Sequence, residues 1–200
     1  MIGCFNKSVL LTYTGIFFAM IGICFANTNL YSAMLCLLFA GICDMFDGTV
    51  ARKCKRNELQ KQFGRKIDSL ADMFSFAALP CVLLLNMPLY KPASIVIALL
   101  YAVACITRLA WFDMTDDGGE YFTGLPVTYS ALILPLCCII AKIMNSLYFF
   151  YPFYCILAIF FVLDIKIKKP RGKMYLVILS AAAVIGVILC LFMTENLKLR

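Results

Sequence analysis

Histidine is absent from this chain. That excludes an imidazole nucleophile, an imidazole general base and any histidine-bound metal. A metal here must be held by oxygen, which favours hard ions such as Mg²⁺, Mn²⁺ or Ca²⁺. Charge is scarce as well. Asp, Glu, Lys and Arg make up 14% of the residues against 64% apolar, and mean hydropathy is +0.92. No soluble domain has this balance. No short apolar core with a small-residue cleavage site is seen, so the first apolar run reads as a membrane helix rather than a removable signal. Paired Cys-x-x-Cys sites are missing too. Most of the eleven cysteines (Cys24, Cys36, Cys105, Cys137, Cys138, Cys155 and Cys190 among them) sit inside apolar runs, as small packed hydrophobes do.

What is present is apolar sequence for six to eight membrane helices of about 20 residues each. Seven spans are expected at roughly 9–26, 31–52, 66–87, 93–112, 127–144, 147–165 and 174–193. The predicted fold is therefore all-α, a polytopic transmembrane helix bundle of about seven spans, forming a single domain over residues 1–200. Short breaks at Asn27-Thr28-Asn29, Asn86 to Pro92 and Met144 to Ser146 make successive helices antiparallel.

The net charge of +7 is concentrated in two connectors. One carries Arg52, Lys53, Lys55, Arg56, Lys61, Arg65 and Lys66 against Glu58; the other carries Lys166, Lys168, Lys169, Arg171 and Lys173 against Asp164. Basic loops between membrane spans point to cytoplasmic orientation and anionic lipid rather than to nucleic acid. With Lys7 inside, connectors 52–66, 113–126 and 164–173 are expected on the cytoplasmic side of the cell membrane. The middle one is acidic, with Asp113, Asp116, Asp117 and Glu120, but acidic residues contribute little to this rule.

The informative stretch is Gly41 to Asp72, GICDMFDGTVARKCKRNELQKQFGRKIDSLAD. Asp44, Asp47, Gly48, Ala51 and Arg52 fall on one helical face, and Gly64, Asp68 and Asp72 fall four apart on the next. A lone D-x-x-D at a helix end is usually a solvated terminus, and a glycine in a membrane helix usually packs. Two acidic pairs with glycines, both beside long apolar runs, point instead to function. Four carboxylates in a poorly solvated place cannot all stay ionised without cations. Two divalent ions would satisfy them, an arrangement suited to phosphoryl chemistry. Gly48 and Gly64 would let a nucleotide or another backbone come close, and Arg52 would reach a phosphate or base.

D-x-x-D-G-x-x-A-R followed by G-x-x-x-D-x-x-x-D resembles the motif of the CDP-alcohol phosphatidyltransferases. All eight defined positions are present within 29 residues. The eleven residues between Arg52 and Gly64 make a longer connector than is common in that family. The resemblance implies that an alcohol attacks a CDP-linked lipid and releases CMP. It implies that Asp44, Asp47, Asp68 and Asp72 bind two Mg²⁺ or Mn²⁺ ions, with Asp72 also the general base. It further implies that Asp47, Gly48, Ala51, Arg52 and Gly64 line the CDP-lipid pocket, and that the enzyme is a homodimer.

Two later stretches resemble the phosphatidylserine synthase branch: Arg108-Leu109-Ala110 with Phe112, and Phe122-Thr123-Gly124-Leu125-Pro126. Asp113 stands where that branch more usually has asparagine. A guanidinium within a membrane helix needs an anionic partner, and its fork suits a carboxylate. Arg108 is therefore the candidate contact for L-serine; it would otherwise snorkel or pair with a motif aspartate. CDP-diacylglycerol and CDP-archaeol are equally compatible donors. Inositol phosphate, glycerol phosphate or another alcohol are the alternative acceptors; Lys166, Lys168, Lys169 and Arg171 could serve the phosphorylated ones but read first as topology determinants. Family members often begin with a Pro-Asn pair before the first helix; here Phe5 precedes Asn6, so that pair is incomplete and Asn6 is no site candidate. A cation-coupled transporter would instead display inverted repeats or broken helices near the midplane, and a non-catalytic lipid-binding relative would tolerate loss of the base.

Overall fold

The computed structural model describes residues 7–54, 56–115, 121–168 and 173–198. Helices α1 (Lys7–Phe25) and α2 (Leu30–Lys53) form the first hairpin. Its turn is set by Asn29, whose side-chain oxygen accepts from the amides of Tyr31 and Ser32 at 3.1 and 3.2 Å. Those bonds satisfy amides that the start of α2 leaves without helical partners.

The third rod is continuous from Glu58 to Asn86. It comprises α3 (Glu58–Asp72), a π-helical turn (Met73–Ala78) and α4 (Leu79–Asn86). It begins eight residues before the expected boundary at 66. Its first two turns are polar, so apolar patterning misses them. The cap is nevertheless legible: Asn57 and Gln60 form a reciprocal capping box, with bonds of 2.8 and 3.1 Å.

The π-helical turn has an identifiable chemical setting. Pro80 lacks an N–H, which removes the α-helical donor for the Phe76 carbonyl. The hydroxyl of buried Tyr101 donates to that carbonyl at 2.8 Å. Buried Tyr154 donates to the Pro80 carbonyl at 2.7 Å, and the two rings lie 5.0 Å apart. Inside a membrane such carbonyls have no water to turn to. Two tyrosines thus stabilise the irregular turn that begins one residue after Asp72.

The remaining rods are α5 (Lys91–Thr115), α6 (Ser130–Ile143), α7 (Phe150–Val162) and α8 (Lys173–Lys198). Among the described residues, α2, the α3–α4 rod, α5 and α8 contain segments long and apolar enough to cross a membrane, while α1, α6 and α7 are shorter apolar helices. The architecture is an all-α membrane helix bundle. Helix α2 packs against α1, α6 and α8. Its Gly41 permits the closest approach: a Cβ there would stand 2.5 Å from the Ala131 Cβ of α6. The ten described cysteines are all free.

Two short strands depart from the all-helical expectation. Strands β1 (Tyr121–Thr123) and β2 (Lys166–Lys168) pair antiparallel, with Phe122 opposite Ile167. Three-residue strands leave no period-two pattern long enough to read. This ladder joins connectors 113–126 and 164–173. Lys66 forms an ion pair with Asp113, which brings connector 52–66 to the same end. At the other end, the Tyr151 hydroxyl donates to the Tyr90 carbonyl at 2.9 Å. The three connectors expected on one membrane side therefore share one end of the bundle.

Candidate active site

At that end lies a cavity of about 260 Å³ whose wall includes Asp44, Asp47, Gly48, Asp68, Asp72 and Arg108. Helical spacing explains most of this convergence. Asp44, Asp47 and Gly48 occupy one face of α2, and Asp68 and Asp72 lie one turn apart at the end of α3. Carboxylate oxygens of Asp44, Asp68 and Asp72 all lie within 4.8 Å of one another. Asp44 and Asp72 are in side-chain hydrogen-bond contact, as are Asp47 and Asp68. Carboxyl groups this close need a shared proton or a cation between them.

Two threonines that sequence reasoning missed address this cluster. Thr12 of α1 donates from Oγ1 to Oδ2 of Asp47 at 3.2 Å, and both residues are buried. Thr128, in the 3₁₀ turn before α6, bonds the Asp44 side chain. Neither has a spacing relation to the motif. The nearest sequence clue to Thr128 is its position two residues after Pro126.

The glycines divide by environment. A Cβ on Gly48 would meet nothing within 4 Å, so this glycine opens the cavity rather than packing a helix. A Cβ on Gly64 would lie 3.3 Å from the Arg56 guanidinium. Neither Gly64 nor Ala51 is on the cavity wall. Arg52 belongs to α2 by its backbone, and its side chain lies outside the described residues. Asn6, Asp116, Asp117, Glu120, Lys169 and Arg171 also lie outside them.

Arg108 is buried on the cavity wall. Its guanidinium carbon is 5.2 Å from the centre of the Phe112 ring, a cation–π distance. Phe112 in turn meets Phe122 edge-on at 5.6 Å. The two motif-like stretches of α5 and β1 are thus one assembly around Arg108. Gly124 closes it: its φ is +76°, and a Cβ there would lie 2.8 Å from the Phe161 carbonyl and 3.3 Å from Arg108 Nε. Glycine alone suits that backbone and that approach.

The donor set fits a hard divalent cation. Every side chain in the cluster offers carboxylate oxygen, three carboxylates converge, and the chain holds no histidine.

The model of the CDP-alcohol phosphatidyltransferase family matches residues 5–195. The chain is similar to the archaetidylserine synthase of Methanothermobacter thermautotrophicus, 34% identical over 107 residues, or 53% of this chain and 46% of the relative. It is similar to the CDP-diacylglycerol–serine O-phosphatidyltransferase of Bacillus subtilis, 31% identical over 108 residues, or 53% and 59% of the two chains. The protein of the same name from Methanocaldococcus jannaschii is 29% identical over 147 residues, or 74% of this chain and 69% of that one. The matched part spans about half or less of the first of these curated relatives. No solved structure matches the chain.

Proposed function

The chain belongs to the CDP-alcohol phosphatidyltransferase family, and we propose that it transfers a phosphatidyl or archaetidyl group from a CDP-linked lipid to the hydroxyl of L-serine, releasing CMP. The observation that carries this reading is the meeting of Asp44, Asp47, Gly48, Asp68, Asp72 and Arg108 on one cavity. The names of the relatives support serine as the acceptor.

In the proposed reaction the serine hydroxyl oxygen bonds to the lipid-bearing phosphorus. The bond from that phosphorus to the bridging oxygen breaks, and CMP leaves with that oxygen. The Asp72 carboxylate takes the hydroxyl proton. Gly48 leaves room for the pyrophosphate beside α2, together with Asp47; Arg52, with Ala51 and Gly64, which lie off the cavity wall, is assigned to the outer part of the nucleotide. Arg108 holds the serine carboxylate through its fork of donors. Thr12 and Thr128 orient Asp47 and Asp44. Asp44, Asp47, Asp68 and Asp72 would hold two divalent ions, Mg²⁺ or Mn²⁺, which when bound offset the charge on the phosphate oxygens.

The lipid tails stay among the apolar helices, and serine arrives from the cytosol at the end bearing the basic connectors. The whole chain acts as one catalytic unit, paired as a homodimer in the cell membrane. The test is CMP release by purified protein given CDP-diacylglycerol or CDP-archaeol with L-serine, glycerol phosphate or inositol phosphate. Serine should stimulate release with at least one donor. Stimulation by a phosphorylated acceptor instead would reassign the acceptor; none by any acceptor would end the transferase reading.

A further inference from the structure

Arg108 lines two cavities. Besides the carboxylate-lined one, it borders a second of about 300 Å³ with Thr107 and Trp111 of α5, Thr123 of β1, and Leu163 and Asp164 just beyond α7. The charged residues of its wall are Arg108 and Asp164, and Phe161 and Val162 bring the last turn of α7 to it.

A helix C-terminus bears partial negative charge from its last carbonyls. Here part of that end is already bonded: the Phe160 carbonyl accepts from Leu125 and the Ile159 carbonyl from Leu163, both at 3.0 Å. Asp164 adds a full charge beyond it, is exposed, and forms no ion pair among the described residues. It is also the one acid in a connector otherwise rich in lysine.

We infer that this second cavity is the amino-acid subsite, with Asp164 and the C-terminal end of α7 receiving the ammonium group of the acceptor while Arg108 receives its carboxylate. A zwitterion has the matching division of charge. Arg108 is shared with the carboxylate-lined cavity, so this subsite borders the proposed site of transfer. Glycerol phosphate and inositol phosphate have no cationic group for Asp164, which makes this residue a determinant of acceptor class. The inference rests on the serine reading above, and the two are separable by experiment.

Trp111 is the chain's sole tryptophan and stands on this cavity's wall. Its fluorescence in the purified protein therefore reports occupancy without turnover. Titration with L-serine should give a saturable change, weakened about fivefold to tenfold in Asp164→Asn, as for loss of a charged hydrogen bond near solvent. 3-Hydroxypropionate, which lacks the ammonium group, should bind wild type and Asp164→Asn alike. In CMP assays the same variant should raise the KM for serine by a similar factor, with the KM for CDP-lipid changed less than about twofold. Equal serine affinity in wild type and Asp164→Asn, or no saturable change at Trp111, overturns the subsite. Saturable, Asp164-dependent binding without CMP release would overturn the transferase reading and leave the subsite standing.

Discussion

Thr12 and Asp47 are 35 residues apart in the chain, yet the Thr12 hydroxyl donates to the Asp47 carboxylate at 3.2 Å within the α1–α2 hairpin. An oriented carboxylate is a better metal ligand than a mobile one. Thr12→Val keeps the shape and removes the donor. It should raise the Mg²⁺ or Mn²⁺ concentration needed for half-maximal activity about tenfold, and Thr12→Ser should recover most of the loss. A metal titration of CMP release checks this; a wild-type requirement in Thr12→Val would make the bond incidental to the site.

Asp72 is assigned the proton. Asp72→Asn should lower kcat by at least about 100-fold while the protein stays folded in detergent, since Asp72 lies among the carboxylates of Asp44 and Asp68 and the amide keeps the shape. EDTA should silence the wild type, and added Mg²⁺ or Mn²⁺ should restore it. Turnover by Asp72→Asn near the wild-type rate would remove Asp72 from this role, and EDTA-resistant turnover would remove the metal.

The two glycines of α2 should respond in opposite ways. At Gly41 a methyl group would crowd Ala131 at 2.5 Å, so Gly41→Ala should cost about 1–3 kcal/mol as an overpacked core position. At Gly48 the space is open. Gly48→Val should leave the thermal transition near wild type and raise the KM for CDP-lipid several-fold. Thermal unfolding in detergent, beside kinetics, tests both; a destabilised Gly48→Val with normal KM would return that glycine to a packing role.

Tyr101→Phe leaves the Phe76 carbonyl without its hydroxyl donor. The expected cost is about 1–3 kcal/mol, seen as a lower Tm. Activity should fall as well, because the π-helical turn follows Asp72 directly. A Tm equal to wild type would mean that Cys105, whose thiol also points to that carbonyl at 3.8 Å, suffices alone.

Much of this was legible in the sequence because it is local. Apolar runs marked the seven rods, and offsets of three and four placed each acidic set on one face. The start of α3 was readable in Asn57 and Gln60, but a boundary drawn by hydropathy passes over a polar, amphipathic first half. The β1–β2 ladder was not readable at all, since its pairing depends on two connectors meeting rather than on either strand's composition.

The sequence by itself determined the chemistry available: no histidine, carboxylates in helical register, and two basic connectors separated by an even number of spans. Only the tertiary structure decided the environments. It separated Gly48, facing open space, from Gly41, pressed against α6, though both are glycines of one helix. It brought Thr12 and Thr128 to the acidic cluster and set Arg108 between two cavities. Register along a helix follows from backbone geometry alone. Which neighbour fills the space beside a residue depends on how distant helices pack.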